Sequence, residues 1–99
     1  MSLTLECVFY GGFRPIVGEK TFHHETEVTT VGEVLRELES RFPGLEGRLL
    51  ASAGGGGPDD IEATVRLDGT DVGLLEGVAT PLEDGCELGL VPYAYIGSP

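Results

Sequence analysis

Lysine is almost missing from this chain. Lys20 is the only one in 99 residues, beside five arginines and against seventeen aspartates and glutamates, for a formal net charge of -11. A phosphate backbone would be repelled by such a surface, so nucleic acid is not an expected partner. A basic protein patch is the complementary one. No apolar run approaches the roughly 18 residues of a membrane span, and no membrane partner is expected. Met1-Ser2-Leu3-Thr4 carries no basic start of a signal peptide, so a soluble cytoplasmic protein is expected. There are two cysteines, Cys7 and Cys86, too few for a disulfide framework. Both fall on the apolar phase of a strand pattern and read as buried thiols. A nucleophilic or redox Cys86 is the competing reading, and the apolar phase argues against it. The only histidines, His23 and His24, are adjacent. On a strand they point to opposite faces and cannot easily share a metal ion. No triad-like constellation can be assembled from them, and no cofactor is implied.

The same charge balance admits two explanations. It suits a protein adapted to high salt, where screening relieves self-repulsion, and it suits an acidic partner-binding surface. The first predicts a thermal midpoint that rises from low to molar KCl; a flat or falling midpoint would count against it.

Leu3, Leu5, Cys7 and Phe9 alternate with polar positions, which predicts a strand with its odd residues inward. Gly11-Gly12 ends it, and Arg14 to Gly18 reads as a loop holding one helical turn. Lys20 to Val28 reads as a second strand, antiparallel to the first, with Phe22 inward. Thr30-Val31-Gly32-Glu33 is a capping-box pattern. Val31, Val34, Leu35, Leu38 and Phe42 follow at helical spacing, with Glu37 and Arg41 placed to pair on the outer face. Pro43-Gly44 stops the helix. Leu45, Leu49 and Leu50 continue as a short apolar turn. Gly54–Gly57 lacks the Gly-Lys-Ser/Thr ending of a phosphate loop and precedes Pro58-Asp59-Asp60, so it reads as a plain loop.

Ile61 to Leu67 alternates again, and Asp68-Gly69 signals a tight turn. Thr70-Asp71-Val72 is a short return strand. Leu74-Leu75 reads as a buried leucine pair. Glu83-Asp84-Gly85 is a solvated acidic turn feeding a last strand, Cys86–Val91, that Pro92 ends. That strand is apolar enough to lie inside a sheet, beside the first strand and parallel to it. An offset of about four residues, on the order of 13 Å, would then separate the cysteines. One wide helix over one sheet predicts a two-layer α+β domain spanning residues 1–92, with 93–99 as a tail.

Four segments in this order resemble the ubiquitin-like β-grasp proteins: Thr30–Leu35, Arg41–Leu45, Val65–Gly69 with Val72, and Thr80–Gly85 leading through Glu87 to Val91-Pro92. The nearest match is the small sulfur-carrier group, MoaD-like and ThiS-like, together with the related small archaeal modifiers. The resemblance implies a mixed sheet of four to five strands crossed by one main helix. It implies a non-catalytic carrier of the kind found as the small subunit of molybdopterin synthase, in molybdenum cofactor biosynthesis. The implied partners are an ATP-using, E1-like activating enzyme and a protein like the large subunit of molybdopterin synthase. In that family a terminal Gly-Gly carboxylate is adenylated and converted to a thiocarboxylate, or joined to a lysine amine in the related modifiers.

Counting from Pro92, the family's last glycine falls on Gly97 and its penultimate one on Ile96, which is β-branched and stiff. Ser98-Pro99 holds the Gly97 carbonyl in a peptide bond. Gly97 is therefore expected to act only after Ser98-Pro99 is removed. The alternative is an interaction module that is never activated. Pro92, Tyr93, Tyr95 and Ile96 are the expected partner-binding residues of the tail. The two tyrosines suit docking in a partner groove, and equally suit packing back on the domain.

Overall fold

A computed structural model of the chain describes residues 2–49 and 63–92. Its elements in order are β1 (Leu3–Phe9), α1 (Phe13–Val17), β2 (Thr21–Thr26), α2 (Val31–Arg41), β3 (Ala63–Leu67), β4 (Thr70–Asp71) and β5 (Glu87–Pro92). The five strands form one mixed sheet in the order β2-β1-β5-β3-β4. β1 and β5 run parallel, and the other neighbours are antiparallel. One helix of substance on one face of a mixed sheet is the β-grasp architecture. Among the described residues no helix is long and apolar enough to cross a membrane. The Gly54–Gly57 loop, Leu50, Ile61 and the tail 93–99 lie outside the described residues.

The core forms where the two periodicities meet. Leu5, Cys7 and Phe9 of β1 and Leu88 and Leu90 of β5 are fully buried, as are Val31, Val34, Leu35 and Leu38 of α2. Burying each such aliphatic side chain contributes about 1.5–3 kcal/mol before entropy is charged against it. Leu45 and Leu49 close the cluster after the helix, which ends as Phe42 N–H donates to the Leu38 carbonyl at 2.9 Å. On the opposite face Val8 is also buried, 5% exposed, between Thr21 and Gly89 on the neighbouring strands.

Thr30 caps α2, with its hydroxyl oxygen accepting from Glu33 N–H at 3.4 Å. Glu33 reaches back, but to the Thr30 hydroxyl (2.8 Å). The backbone around the cap is held from across the fold: Val31 N–H donates to the Thr80 carbonyl and Leu82 N–H to that of Thr29. Gly32 is required by this packing. A Cβ there would stand 2.8 Å from Val78 Cβ and 3.0 Å from its carbonyl oxygen.

Several expectations are corrected. The second strand is shorter than Lys20–Val28, running from Thr21 to Thr26. The helical turn after β1 is a five-residue helix closed by Gly18 at φ 88°. The Leu74-Leu75 pair is not buried: the two are 80% and 46% exposed. Val72 takes the core position instead, and the tight 3-10 turn Val72–Leu74 swings the following side chains away. Cys86 precedes the last strand, and Cys7 stands opposite Leu88. Two residues along the strand and one strand spacing across put the cysteine Cα atoms about 8 Å apart, nearer than the expected 13 Å. That is still too far for a disulfide, and both thiols are free.

Glu37 does not pair with Arg41. Its carboxylate accepts from the Thr26 hydroxyl at 2.5 Å and from His24 Nε2 at 2.9 Å. Thr26 is buried and its hydroxyl needs a partner, whereas an exposed i,i+4 ion pair offers only about 0.3–0.5 kcal/mol. Arg41 lies instead over the Phe22 ring, 4.7 Å from its centroid. Partial burial opposes ionisation of Glu37, but the bonds from Thr26 and His24 outweigh it and hold the carboxyl below its ordinary 4.5. The staple between β2 and α2 therefore adds stability above about pH 4.5 that fades as acid drives pH down through the lowered value. Because Glu37 is 40% exposed, the effect is small. The thermal midpoint of Glu37→Gln should lie about 1–3 °C below that of the parent near neutrality and converge with it on acidification. A gap that persists unchanged in acid would disprove the assignment.

Candidate functional site

The tail's root is the part of the candidate site that the structure describes. β5 is the middle strand, hydrogen-bonded to β1 on one side and β3 on the other. Tyr10 N–H donates to the Leu90 carbonyl at 3.1 Å, and Pro92 ends the strand opposite Ala63. Leu88, Leu90 and Val91 are buried. The ladder to β3 asks no N–H of residue 92: Asp68 N–H donates to the Glu87 carbonyl, and antiparallel pairing alternates from there, so Glu87, Gly89 and Val91 bond toward β3. Tyr93, Tyr95, Ile96 and Gly97 lie outside the described residues.

The start of β5 is fastened by two carboxylates that the acidic composition hides. Asp84 accepts from Thr4 N–H at 2.8 Å, while Gly85 N–H donates to the Thr4 carbonyl. Glu83-Asp84-Gly85 is thus a clamp on the first strand as well as a surface turn. Asp68 accepts from Glu87 N–H at 2.8 Å, and its own N–H donates to the Glu87 carbonyl. Asp68 and Gly69 both have positive φ, 51° and 86°, the geometry of a two-residue hairpin turn. The Asp-Gly pairs were visible in sequence as turns. Their side-chain acceptors had no local signal, since Thr4 and Asp84 are eighty residues apart.

The thiols are not placed for chemistry. Burial, with the charge of Cys86 adding to it, pushes Cys7 up to about 12. Burial raises Cys86 as well. Neither is a thiolate near neutral pH, and the inert reading of both follows. The two histidines separate as expected, with His23 exposed and His24 turned to Glu37. Among the described residues no group of histidines, cysteines and carboxylates is arranged to hold a metal ion.

The family model described as ThiS family matches residues 7–95, from the first strand into the tail. The chain belongs to the ThiS family. It is 36% identical over 91 residues to small archaeal modifier protein 3 of Haloferax volcanii, covering 91% of this chain and 95% of that one. A Haloferax volcanii protein solved in solution is 35% identical, with a TM-score of 0.74 over 92% of this chain and 83% of its own. Small archaeal modifier protein 1 of Methanosarcina acetivorans, at 20% identity, shares the fold with a TM-score of 0.71 over 93% of this chain and 94% of its own. For this ThiS-family chain the fold inferred from the four resembling segments stands as the two-layer β-grasp architecture.

Proposed function

We propose that residues 1–92 form a carrier domain and that 93–99 act as its working tail, with Gly97 as the acting residue once the peptide bond behind it is cut. The domain is a carrier without catalytic groups of its own. An ATP-using activating enzyme adenylates the freed Gly97 carboxylate. The acyl adenylate is then attacked either by a sulfur donor, giving a thiocarboxylate, or by a lysine amine, giving a conjugate, and AMP leaves in both cases. A protein like the large subunit of molybdopterin synthase is the expected acceptor on the sulfur branch, within the cytoplasm. Pro92, Tyr93, Tyr95 and Ile96 would contact the partner as the tail extends into it.

One observation carries this reading: the tail continues directly from the central strand of the sheet. A segment leaving a strand held on both sides can be gripped by a partner without unpacking the core. The likeness to small archaeal modifier protein 3 supports the same reading. Intact-mass measurement of the protein from native cells tests it. A species ending at Gly97, or one heavier by an oxygen-to-sulfur exchange, is expected. A chain that always continues past Gly97, even under sulfur demand, would remove it.

A second reading rests on Ile96. It stands where the sulfur-carrier pattern has its penultimate glycine, and a β-branched side chain adds bulk in a narrow channel. On that reading the domain is a binding module that is never activated, and Tyr93 and Tyr95 anchor it to a partner.

A further inference from the structure

β2 is an edge strand. Phe9 N–H donates to the Lys20 carbonyl at 2.7 Å, and antiparallel pairing alternates from there. Residues 20, 22, 24 and 26 therefore bond toward β1, and the backbone groups of Thr21, His23 and Glu25 turn outward. Among the described residues no strand pairs with them. Such an edge is a template for another extended chain.

Beside this edge runs a groove of about 620 Å³ between β2 and α2, with Val28 and His24 on one side and Arg36, Ser40 and Arg41 on the other. Its charges are unevenly committed. Glu33 already accepts from Thr30, and Glu37 from Thr26 and His24. Arg36 and Arg41 have no carboxylate partner among the described residues. Arg41 rests on the Phe22 and Phe42 rings, which leaves its charge unneutralised, and Arg36 is exposed. Beside the β2 edge the two guanidiniums can take carboxylates from outside.

We propose that β2 and this groove bind an extended segment of a partner protein that places apolar residues and then acids on alternate positions. The segment adds to β2 through Thr21, His23 and Glu25. Its inward side chains lie along Val28 and end on Arg36 and Arg41. A second copy of this chain does not fit the need. Pairing β2 with itself through the outward residues would turn Phe22, His24 and Thr26 of the second copy to the groove side, with no carboxylate among them. The tail 93–99 carries no acidic side chain either. The surface is independent of events at Gly97.

The test is titration of the isotope-labelled full chain, in about 0.15 M KCl so that exposed ion pairs are not fully screened, with the peptide acetyl-Thr-Val-Thr-Val-Thr-Asp-Thr-Glu-amide. Saturable amide shifts are expected at Thr21, His23 and Glu25 and along Arg36, Ser40 and Arg41. Replacing the peptide's acids by Asn and Gln should weaken binding about tenfold, and Arg36→Ala about threefold. Arg36 is exposed, so that variant should keep the parent spectrum; the neutral peptide makes the same test on unaltered protein. Shifts confined to the opposite sheet face, equal affinity for the neutral peptide, or no saturable shift at millimolar peptide would each overturn the proposal. So would concentration-dependent shifts at the β2 edge without peptide, which would mean a second copy of this chain.

Discussion

Leu90→Ala is expected to lower the unfolding free energy by about 2–5 kcal/mol. Leu90 is fully buried on β5, opposite Phe9 of β1 and Val65 of β3. Strands on both sides fix its backbone, so the walls cannot close on the space left behind, and the cavity is felt in full. Domains of this size hold only about 5–15 kcal/mol, so the variant should stand near the edge of folding. Denaturant unfolding in molar KCl would show it as a lower midpoint with an unchanged slope. A loss below about 1 kcal/mol would mean that β5 is not the packed centre of the sheet. The same variant bears on the tail, because Leu90 lies two residues before Pro92. A loosened root should weaken partner binding in proportion to the population unfolded, and no further.

The second large effect concerns Gly97. The chain cut after Gly97 should exchange ATP with pyrophosphate when mixed with its activating enzyme, and the chain continuing through Pro99 should not. The physical reason is that adenylation needs a free carboxylate, and a peptide carbonyl offers none. Gly97→Val in the cut chain should reduce the exchange about a hundredfold, since a side chain at the reacting carbonyl displaces it from its geometry. Thermal unfolding should be the same for Gly97→Val as for the parent, because the position lies beyond β5. Equal exchange by the cut and continuing chains would sink the carrier reading and leave the binding module.

The helix was legible before any coordinates. Val31, Val34, Leu35 and Leu38 state their face through spacing alone, and Thr30 marks the start. The alternation of β1 and the Asp68-Gly69 turn were legible for the same reason: each is written within a few neighbouring residues. The parallel placement of β5 beside β1 also came through, since an apolar last strand has to sit inside the sheet. The tail residues proposed for the site were reached by counting from Pro92, not by any contact.

What failed to come through was hidden by one local turn and, elsewhere, by partners distant along the chain. Leu74 and Leu75 are apolar, and composition sends them inward; the turn that starts at Val72 leaves them in water. Glu37 and Arg41 have ideal helical spacing, yet His24 and Thr26 take the carboxylate and Phe22 takes the guanidinium. Asp84 looks like one more surface acid until Thr4 is brought against it.

The order of amino acids alone determined which segments are helix and strand, because backbone preference and apolar period act over a few residues. It also determined the acidity and the poverty of nucleophiles. Only the folded arrangement decided which acids are clamps and that Arg41 lies on Phe22 rather than on Glu37. It also set how near Cys7 comes to Cys86 and that β2 stands at the edge of the described sheet. Those depend on sheet register and on where α2 lies, and both are set by packing between residues far apart along the chain.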